Sequence, residues 1–384
     1  MKKRFQAQRS AFGAWFALSI LMSSLMTVHA LAASPTIISP GSSTYIEGQP
    51  AQIVNGNISV TDPDSGIQEA WVYILSNYQA NKDFLVPPSP LPSGITVDGY
   101  YNGTDRWLRF AGPASPEAFQ SVLRSVRFYN TSDSPLTANR TIRWYVRDPS
   151  SASYVSSDST ISVISVNDQP QGYPQSLETL EDVQKSTTLS GDDGETDAVQ
   201  ALTYIVTALP ASGVLRETSG GGAITVVPHT LADPEVFFTP ALNDISPQSF
   251  TFRVKDDGGT ANGGVDESQD VVVSITVTPV NDAPSFVKGP DQTVLEDAGA
   301  QTVANWATAI SAGPADEAGQ GLAFAVVNDN NALFAVQPQV NLATGTLSYT
   351  PAPEAHGTAR VTVTLKDDGG TADGGVDTFS DTFT

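Results

Sequence analysis

The chain has no cysteine, only 3 methionines and 3 histidines, and 19 basic residues against 41 acidic ones in 384. Without cysteine there is neither a disulfide framework nor a thiolate metal site, so small domains must rest on ordinary cores or on oxygen-bound metal ions. A formal charge of −22 argues against nucleic acid as a partner, because phosphates would repel the chain. The histidines offer no catalytic constellation. His29 lies near the N-terminus, while His229 in "VVPHTL" and His356 in "PEAHGT" stand alone beside turns. No Gly-x-Ser-x-Gly, His-Glu-x-x-His or phosphate loop is present, and "DSG" at 64–66 occurs once; motifs of that length carry little weight alone. "GGG" at 220–222 suits a hairpin tip. No enzymatic activity is expected. After the first 32 residues no apolar run approaches the ~20 residues of a membrane span.

Those first residues are of another kind. Lys2, Lys3, Arg4 and Arg9 precede an apolar stretch from about Ala11 to Val28, and Ala30-Leu31-Ala32 supplies small residues for cleavage. This is the layout of a secretory signal peptide, residues 1–32. Its removal leaves 15 basic against 41 acidic residues. The mature protein is expected to be secreted or held at a bacterial cell surface, with no membrane span of its own. Its acidity works against compactness unless cations help.

The chain repeats itself. "VKDDGGTANGGVDES" at 254–268 returns as "LKDDGGTADGGVDT" at 365–378, an offset of 111. "VNDQP" at 166–170 returns as "VNDAP" at 280–284, and "TLED" at 179–182 as "VLED" at 294–297, with offsets of 114 and 115. Three markers near one period divide the mature chain into units 34–168, 169–282 and 283–384. Each junction ends in a proline, which stops strand pairing. By the same offset Thr384 corresponds to Val273, so the third unit is expected to be incomplete and the natural chain to continue.

Strands are predicted almost throughout. In "SFTFRVKD" Phe250, Phe252 and Val254 alternate with Thr251, Arg253 and Lys255. "ARVTVTLKD" places Val361, Val363 and Leu365 in the same phase, and "TIRWYVRD" does so with Ile142, Trp144 and Val146. Period two marks strands half buried against a core. "EAWVYILS" at 69–76 and "AFAVV" at 323–327 add more. One short helical turn is predicted in "SPEAFQSVLRSV", where Phe119, Val122, Leu123 and Val126 recur near 3.6. Many short strands with frequent turn signals make each unit a sandwich of about seven strands.

Acidic residues recur in register with this pattern. Asp148, Asp256 and Asp367 each stand two places after the last inward apolar residue of a long strand. Glu47, Glu181 and Glu296 lie near the start of each unit. Asp62 and Asp64 follow an early strand of the first unit; Asp192, Asp193 and Glu195, then Asp316 and Glu317, sit comparably in the next two. The junctions contribute Asn167 and Asp168, then Asn281 and Asp282. Alternate loops of an antiparallel sandwich meet at one pole, and calcium takes about 6–8 oxygen ligands. Any single Asp reads as a turn residue; the recurring set reads as calcium ligands.

"TLED" and "VLED", the strand-end "KDDGG" and the "VNDQP" and "VNDAP" junctions resemble the tandem cadherin-like or immunoglobulin-like repeats of bacterial surface and secreted proteins. "SPEAFQSVLRSVRFYNTSDSP" resembles a related repeat of the same proteins. The resemblance covers nearly all of the mature chain. It implies an all-β fold of three tandem Greek-key β-sandwiches in an extended array. It also implies a structural or adhesive role with calcium between domains. By that likeness Glu47, Asp62, Asp64, Asp148, Asn167 and Asp168 would serve one junction. Two departures stand out. Ser165 and Pro279 occupy the place of an acid that cadherin junctions carry two positions before the Asn, and the cadherin Asp-Arg-Glu segment is not visible. Fewer ions per junction are therefore expected.

Two other roles are compatible with these residues. The array could serve as the accessory part of a larger secreted enzyme, or the first unit could bind carbohydrate. Trp71, Trp107 and Trp144 all fall there, with Tyr100 and Tyr101 nearby. Trp144 is in core phase, and an exposed Trp107 would point to sugar contact. A protein or glycan ligand at the cell surface is the expected partner, and its identity is not legible.

Overall fold

The computed structural model describes residues 33–98, 106–150, 153–196 and 199–384. The signal peptide, Tyr100 and Tyr101 lie outside the described residues. The chain forms two compact units. The first comprises residues up to Tyr45, Gln49–Asn130 and Ala138–Val163; the second comprises Ile46–Gly48, Thr131–Thr137 and Ile164–Thr384. Among the described residues no helix is long and apolar enough to cross a membrane.

The first unit is a β-sandwich. Its larger sheet uses β1 (Ser42–Ile46), β2 (Ile67–Ile74), β3 (Thr96–Asp98), β4 (Trp107–Ala114), β5 (Arg140–Arg147) and β6 (Val155–Ile164) in the order β1-β6-β5-β2-β4-β3. A three-stranded sheet of Gln52–Ile53, Arg127–Asn130 and Asp83–Val86 covers its inner face. Ile142, Trp144 and Val146 of β5 are buried with Ala70, Val72 and Ile74 of β2 and with Leu85 and Phe128 of the opposing sheet. The buried indole N–H of Trp144 donates to Ser159 Oγ at 2.7 Å, which removes the desolvation cost of burying it.

The predicted helical turn is longer than its sequence pattern suggests. α1 spans Pro116–Arg124 and buries Phe119, Val122 and Leu123. Ser115 caps it by accepting from the Ala118 N–H, and Pro116 occupies the first turn, where no N–H partner is needed. Val126 is buried two residues beyond the helix end.

The second unit holds two clusters of buried apolar side chains. In the first, β7 (Gln175–Leu180), β8 (Thr203–Ala208), β9 (Gln248–Lys255) and β10 (Val271–Thr278) run in the order β7-β10-β9-β8, with His229–Thr230 at the edge. β7 pairs parallel with β10, whereas β9 pairs antiparallel with both β8 and β10. Phe250, Phe252 and Val254 pack against Val236 and Phe238 of the facing sheet. The second cluster lies between β11 (Ala323–Asn328), β14 (Val361–Lys366) and β15 (Thr378–Phe383) on one side and β12 (Phe334–Val340) and β13 (Leu347–Pro351) on the other. Val361, Val363 and Leu365 of β14 are buried in it. The fold is all-β sandwich repeats, as the alternation of Phe250-Phe252-Val254 and Val361-Val363-Leu365 predicts.

Candidate functional site

The duplicated loop begins where β9 and β14 end. Asp256 and Asp367 are the first residues past those strands, 4% and 2% exposed. Each accepts the N–H two residues on, from Gly258 and Gly369, at 3.0 Å. Their own amides bond Asp266 O and Asp377 O at 3.1 Å, closing equivalent hairpins. Within the loops Asn262 and Asp373 adopt φ of 57° and 55°, and Gly259 and Gly370 φ of 78° and 85°. The sequence repeat is thus a repeat of backbone conformation. Its glycines have a steric reason: a Cβ on Gly258 or Gly369 would stand 1.8 or 1.7 Å from the side-chain oxygen of Asn167 or Asn281.

Those two asparagines clamp each hairpin. Asn167 Nδ2 donates to Asp256 Oδ1 at 2.9 Å and to Val265 O at 2.8 Å; Asn281 Nδ2 donates to Asp367 Oδ1 at 3.0 Å and to Val376 O at 2.9 Å. Their Oδ1 atoms accept from Gln200 Nε2 at 2.7 Å and Gln320 Nε2 at 2.8 Å. The next residues repeat the pattern. Asp168 N–H donates to Glu195 Oε1 at 3.1 Å, and Asp282 N–H to Glu317 Oε1 at 2.8 Å. The early glutamates complete each group. Val166 N–H donates to Glu47 Oε2 at 2.8 Å, and Val280 N–H donates to Glu181 Oε1.

Two acidic clusters result, both within the second unit. In one, burial pushes up the pKa of Glu47, with Asp168 and Glu195 adding repulsion, and that of Glu195, with Asp168 and Asp133 adding to it. Asp168 is raised by burial and then by Asp133. In the other, burial raises Glu181, Asp282 and Glu317, with further repulsion from Asp316 and, for two of them, Asp182. Oxygens lacking any donor are buried in both: Glu195 Oε2, Gln200 Oε1 and Asp256 Oδ2, and likewise Glu181 Oε2, Glu317 Oε2, Gln320 Oε1 and Asp367 Oδ2. Nearby cations are turned elsewhere. Lys255 pairs with Asp266 and Glu267, Arg253 with Glu267 and Asp270, and Lys366 with Asp377. Among the described residues no three His, Cys, Asp or Glu side chains close on a point where they could hold a metal. The donor-free oxygens include amides as well as carboxylates.

The remaining predicted ligands fall differently. Asp193, 8% exposed, accepts the N–H groups of Glu195 and Gln200 and belongs with the first cluster, while Asp192 is exposed and accepts from the Gly194 N–H. Asp62, Asp64 and Asp148 lie in the first unit, whereas Glu47, Asn167 and Asp168 lie in the second. Asp62 caps a turn through Ser65, Asp64 accepts from the Ala33 N–H, and Asp148 is buried at the end of β5, accepting from Ser150. Glu296 is exposed beside a cavity of about 560 Å³ lined also by Leu295, Phe334, Tyr349 and Phe383. His356 lines that cavity, and His229 bonds Glu217. Sequence reading missed Asp133, Asp182, Gln200 and Gln320, and it noted Glu195 and Glu317 as recurring acids without assigning them as ligands. The signal for the glutamines was present in "QAL" at 200–202 and "QGL" at 320–322.

Residues 281–378 match the family model described as a bacterial Ig domain. The resemblance to immunoglobulin-like repeats is borne out there. Among solved structures, the chain is similar to human CDH23 EC21-23, at 16% identity and a TM-score of 0.47, covering 92% of this chain and 100% of that one. It is also similar to mouse Cadherin-23 EC22-24, at 17% identity and a TM-score of 0.41, covering 91% of this chain and 96% of that one. No curated protein matches the sequence.

Proposed function

We propose that this protein is an extracellular structural or adhesive array, secreted or held at the cell surface, whose sandwiches (34–168, 169–282 and 283–384) are stiffened by calcium at the two acidic clusters. The observation that carries this reading is a recurring trio of buried, donor-free oxygens, Glu195 Oε2, Gln200 Oε1 and Asp256 Oδ2 in one cluster and Glu317 Oε2, Gln320 Oε1 and Asp367 Oδ2 in the other. A buried polar atom left without a partner costs about 1–3 kcal/mol, more when charged. Repetition of the same omission at corresponding places supports a cation at each. Carboxylate and amide oxygens, with no sulfur and no imidazole among them, suit a hard ion of calcium's coordination number.

In the first cluster the ligands would be drawn from Glu47, Asp168, Asp193, Glu195, Asp256 and Gln200, whose side chains would have to close further on the ion than they do in this structure. In the second they would be drawn, on the same condition, from Glu181, Asp282, Glu317, Asp367 and Gln320. Bound calcium would supply the positive charge that neither cluster draws from the chain. Asn167 and Asn281 act as positioning residues, since each fixes a strand-end Asp while tying the junction to the hairpin. The reading goes no further than a non-catalytic scaffold.

Isothermal calorimetry and melting of the chain with calcium and with chelator test this. Extracellular modules bind calcium at roughly 0.1–1 mM; at tenfold excess over such a constant each site adds about 1.4 kcal/mol. Calcium is expected to raise the melting temperature of the second unit, with Glu317→Gln removing one contribution and Glu195→Gln the other. No heat and no shift would sink the reading.

A further inference from the structure

The outer face of the larger sheet in the first unit carries a second kind of surface, separate from the acidic clusters. Strand pairing sets its layout. Tyr145 of β5 stands opposite Trp71 of β2, which stands opposite Arg109 of β4; one step along, Arg143, Tyr73 and Trp107 line up the same way. These residues alternate with the buried set of the same strands, so all point away from the core. Trp71 and Trp107 lie 4.9 Å apart between ring centroids, and Tyr145 and Tyr154 6.1 Å apart. Trp71, Tyr73, Tyr145 and Tyr154 line an apolar hollow of about 200 Å³.

Arginines frame these rings. The Arg106 guanidinium lies 4.8 Å over the Tyr73 ring, Arg109 5.6 Å from Trp71, and Arg147 5.4 Å from Tyr154. Glu69, nearly buried beneath them, accepts from Arg109 at 2.8 Å, from Arg147 at 2.6 Å and from the Tyr154 hydroxyl. Arg143 is paired with Asp158 at 2.7 Å. Asp98 of β3 stands opposite Arg109 in register, so four arginines face Glu69, Asp98 and Asp158, a net positive balance of one on a chain whose formal charge is −22. A row of outward aromatic rings is costly to leave in water and marks a contact surface. The positive rim turns away the cationic ligands that aromatic cages take. It favours a ligand with flat apolar faces for the rings and carboxylate or sulfate groups for guanidinium forks.

We infer that the outer face of β2, β4 and β5 is a binding site for an anionic polysaccharide, whose sugar rings stack on Trp71, Tyr73 and Tyr145 while its acidic substituents meet Arg106 and Arg109. The side chains are held in advance: the strand register spaces the rings, and Glu69 fixes two of the arginines. Trp107 contributes as the neighbour of Trp71, not as an isolated exposed ring.

The test uses the full chain in chelator, so that calcium bridging plays no part. Polygalacturonate and chondroitin sulfate serve as anionic probes, and dextran and cello-oligosaccharides as neutral ones. Affinity electrophoresis and tryptophan fluorescence provide the readouts. The anionic glycans are expected to retard the protein and perturb its fluorescence, and more salt should weaken both effects. Tyr145→Ala and Arg106→Glu are each expected to weaken binding about tenfold or more, while Arg127→Glu, on the opposite sheet, leaves it unchanged. Should Tyr145→Ala fail to fold, the exposed Arg106→Glu variant decides alone. Binding that survives Arg106→Glu, a panel in which no anionic glycan binds, or preferential capture of a proline-rich peptide would each overturn the assignment.

Discussion

Asp83 and Glu69 of the first unit are treated differently from four buried acids of the second. In the first, Asp83 and Arg140 are both fully buried, with Arg140 Nε 3.1 Å from Asp83 Oδ2. Asn130 and the Gln79 N–H also donate to Asp83, and Arg140 reaches Gln79 Oε1 and Ala138 O. Glu69 is likewise shared between two arginines. In the second unit Glu181, Asp256, Glu317 and Asp367 are as deeply buried, yet each keeps an oxygen with no donor, and the nearby Lys and Arg pair with hairpin acids. The same chain therefore can build an internal counterion for a buried carboxylate. That it does so for Asp83 and Glu69 and not for these four acids is the contrast on which the proposed cation sites rest.

The largest effect should come from breaking the internal pair. Asp83→Ala leaves Arg140 buried and uncompensated, a loss of about 3–5 kcal/mol. Urea unfolding should show that loss with and without calcium alike. In the second unit Asn167→Ala and Asn281→Ala remove the donor to a strand-end Asp and to a hairpin carbonyl, at a cost of about 2 kcal/mol each. Because the two clamps share their geometry, the two losses should match. A clear inequality in matched melting curves would mean that the clusters are alike in sequence but not in energy.

How far the sequence speaks differs between these regions. The β9 and β14 strands, and the burial of Asp256 and Asp367 at their ends, follow from period-two alternation that any reader of residues 250–256 can see. The junction Asn-Asp pairs and Glu181 follow from repeat offsets of 111 to 115. Gln200 escapes, and Glu195 is noted only as a recurring acid, because their counterparts, Gln320 and Glu317, lie 120 and 122 residues on. The loop between them differs in length, and a surface loop changes length at little energetic cost. A fixed period loses register there. Glutamine also escapes a search for charge, yet its amide oxygen can coordinate a cation, more weakly than a carboxylate. In the first unit the Asp83–Arg140 pair was not legible at all, since 57 residues separate two partners that carry no motif.

Acid pH should separate the units by sign. Burial alone would raise the Glu69 pKa, but hydrogen bonds from Tyr154, Arg109 and Arg147 outweigh it and hold the group at about 2 against an ordinary 4.5. Its folded form is the weaker proton binder, so its contribution is full above pH 4.5 and is lost as pH falls toward 2. Glu181, Glu195 and Glu317 are raised instead. Their folded forms bind protons more tightly than the unfolded chain, so in chelator the second unit should gain stability as pH falls from neutrality into the carboxylate range. Calorimetric scans between pH 7 and pH 4 should show the calcium-sensitive transition rising. Saturating calcium should flatten that rise, because the ion then supplies what the proton supplied. A calcium-sensitive transition that falls on acidification in chelator would remove the case for uncompensated carboxylates.

The smallest effect should come from the cations that the second unit does pair. Arg253 bonds Glu267 and Asp270 at 3.0 Å, all of them more than a third exposed at the side chain. Exposed pairs of this kind are worth about 0.2–1 kcal/mol and fade with salt. Arg253→Ala should therefore cost about 0.5 kcal/mol in dilute buffer and almost nothing at high salt, with calcium binding unchanged. If instead the substitution weakens calcium binding, Arg253 would be orienting the hairpin behind Asp256, and the hairpin acids Glu267 and Asp270 would belong to the cation site's support. The contrast with Asp83–Arg140 would then be one of burial alone, not of purpose.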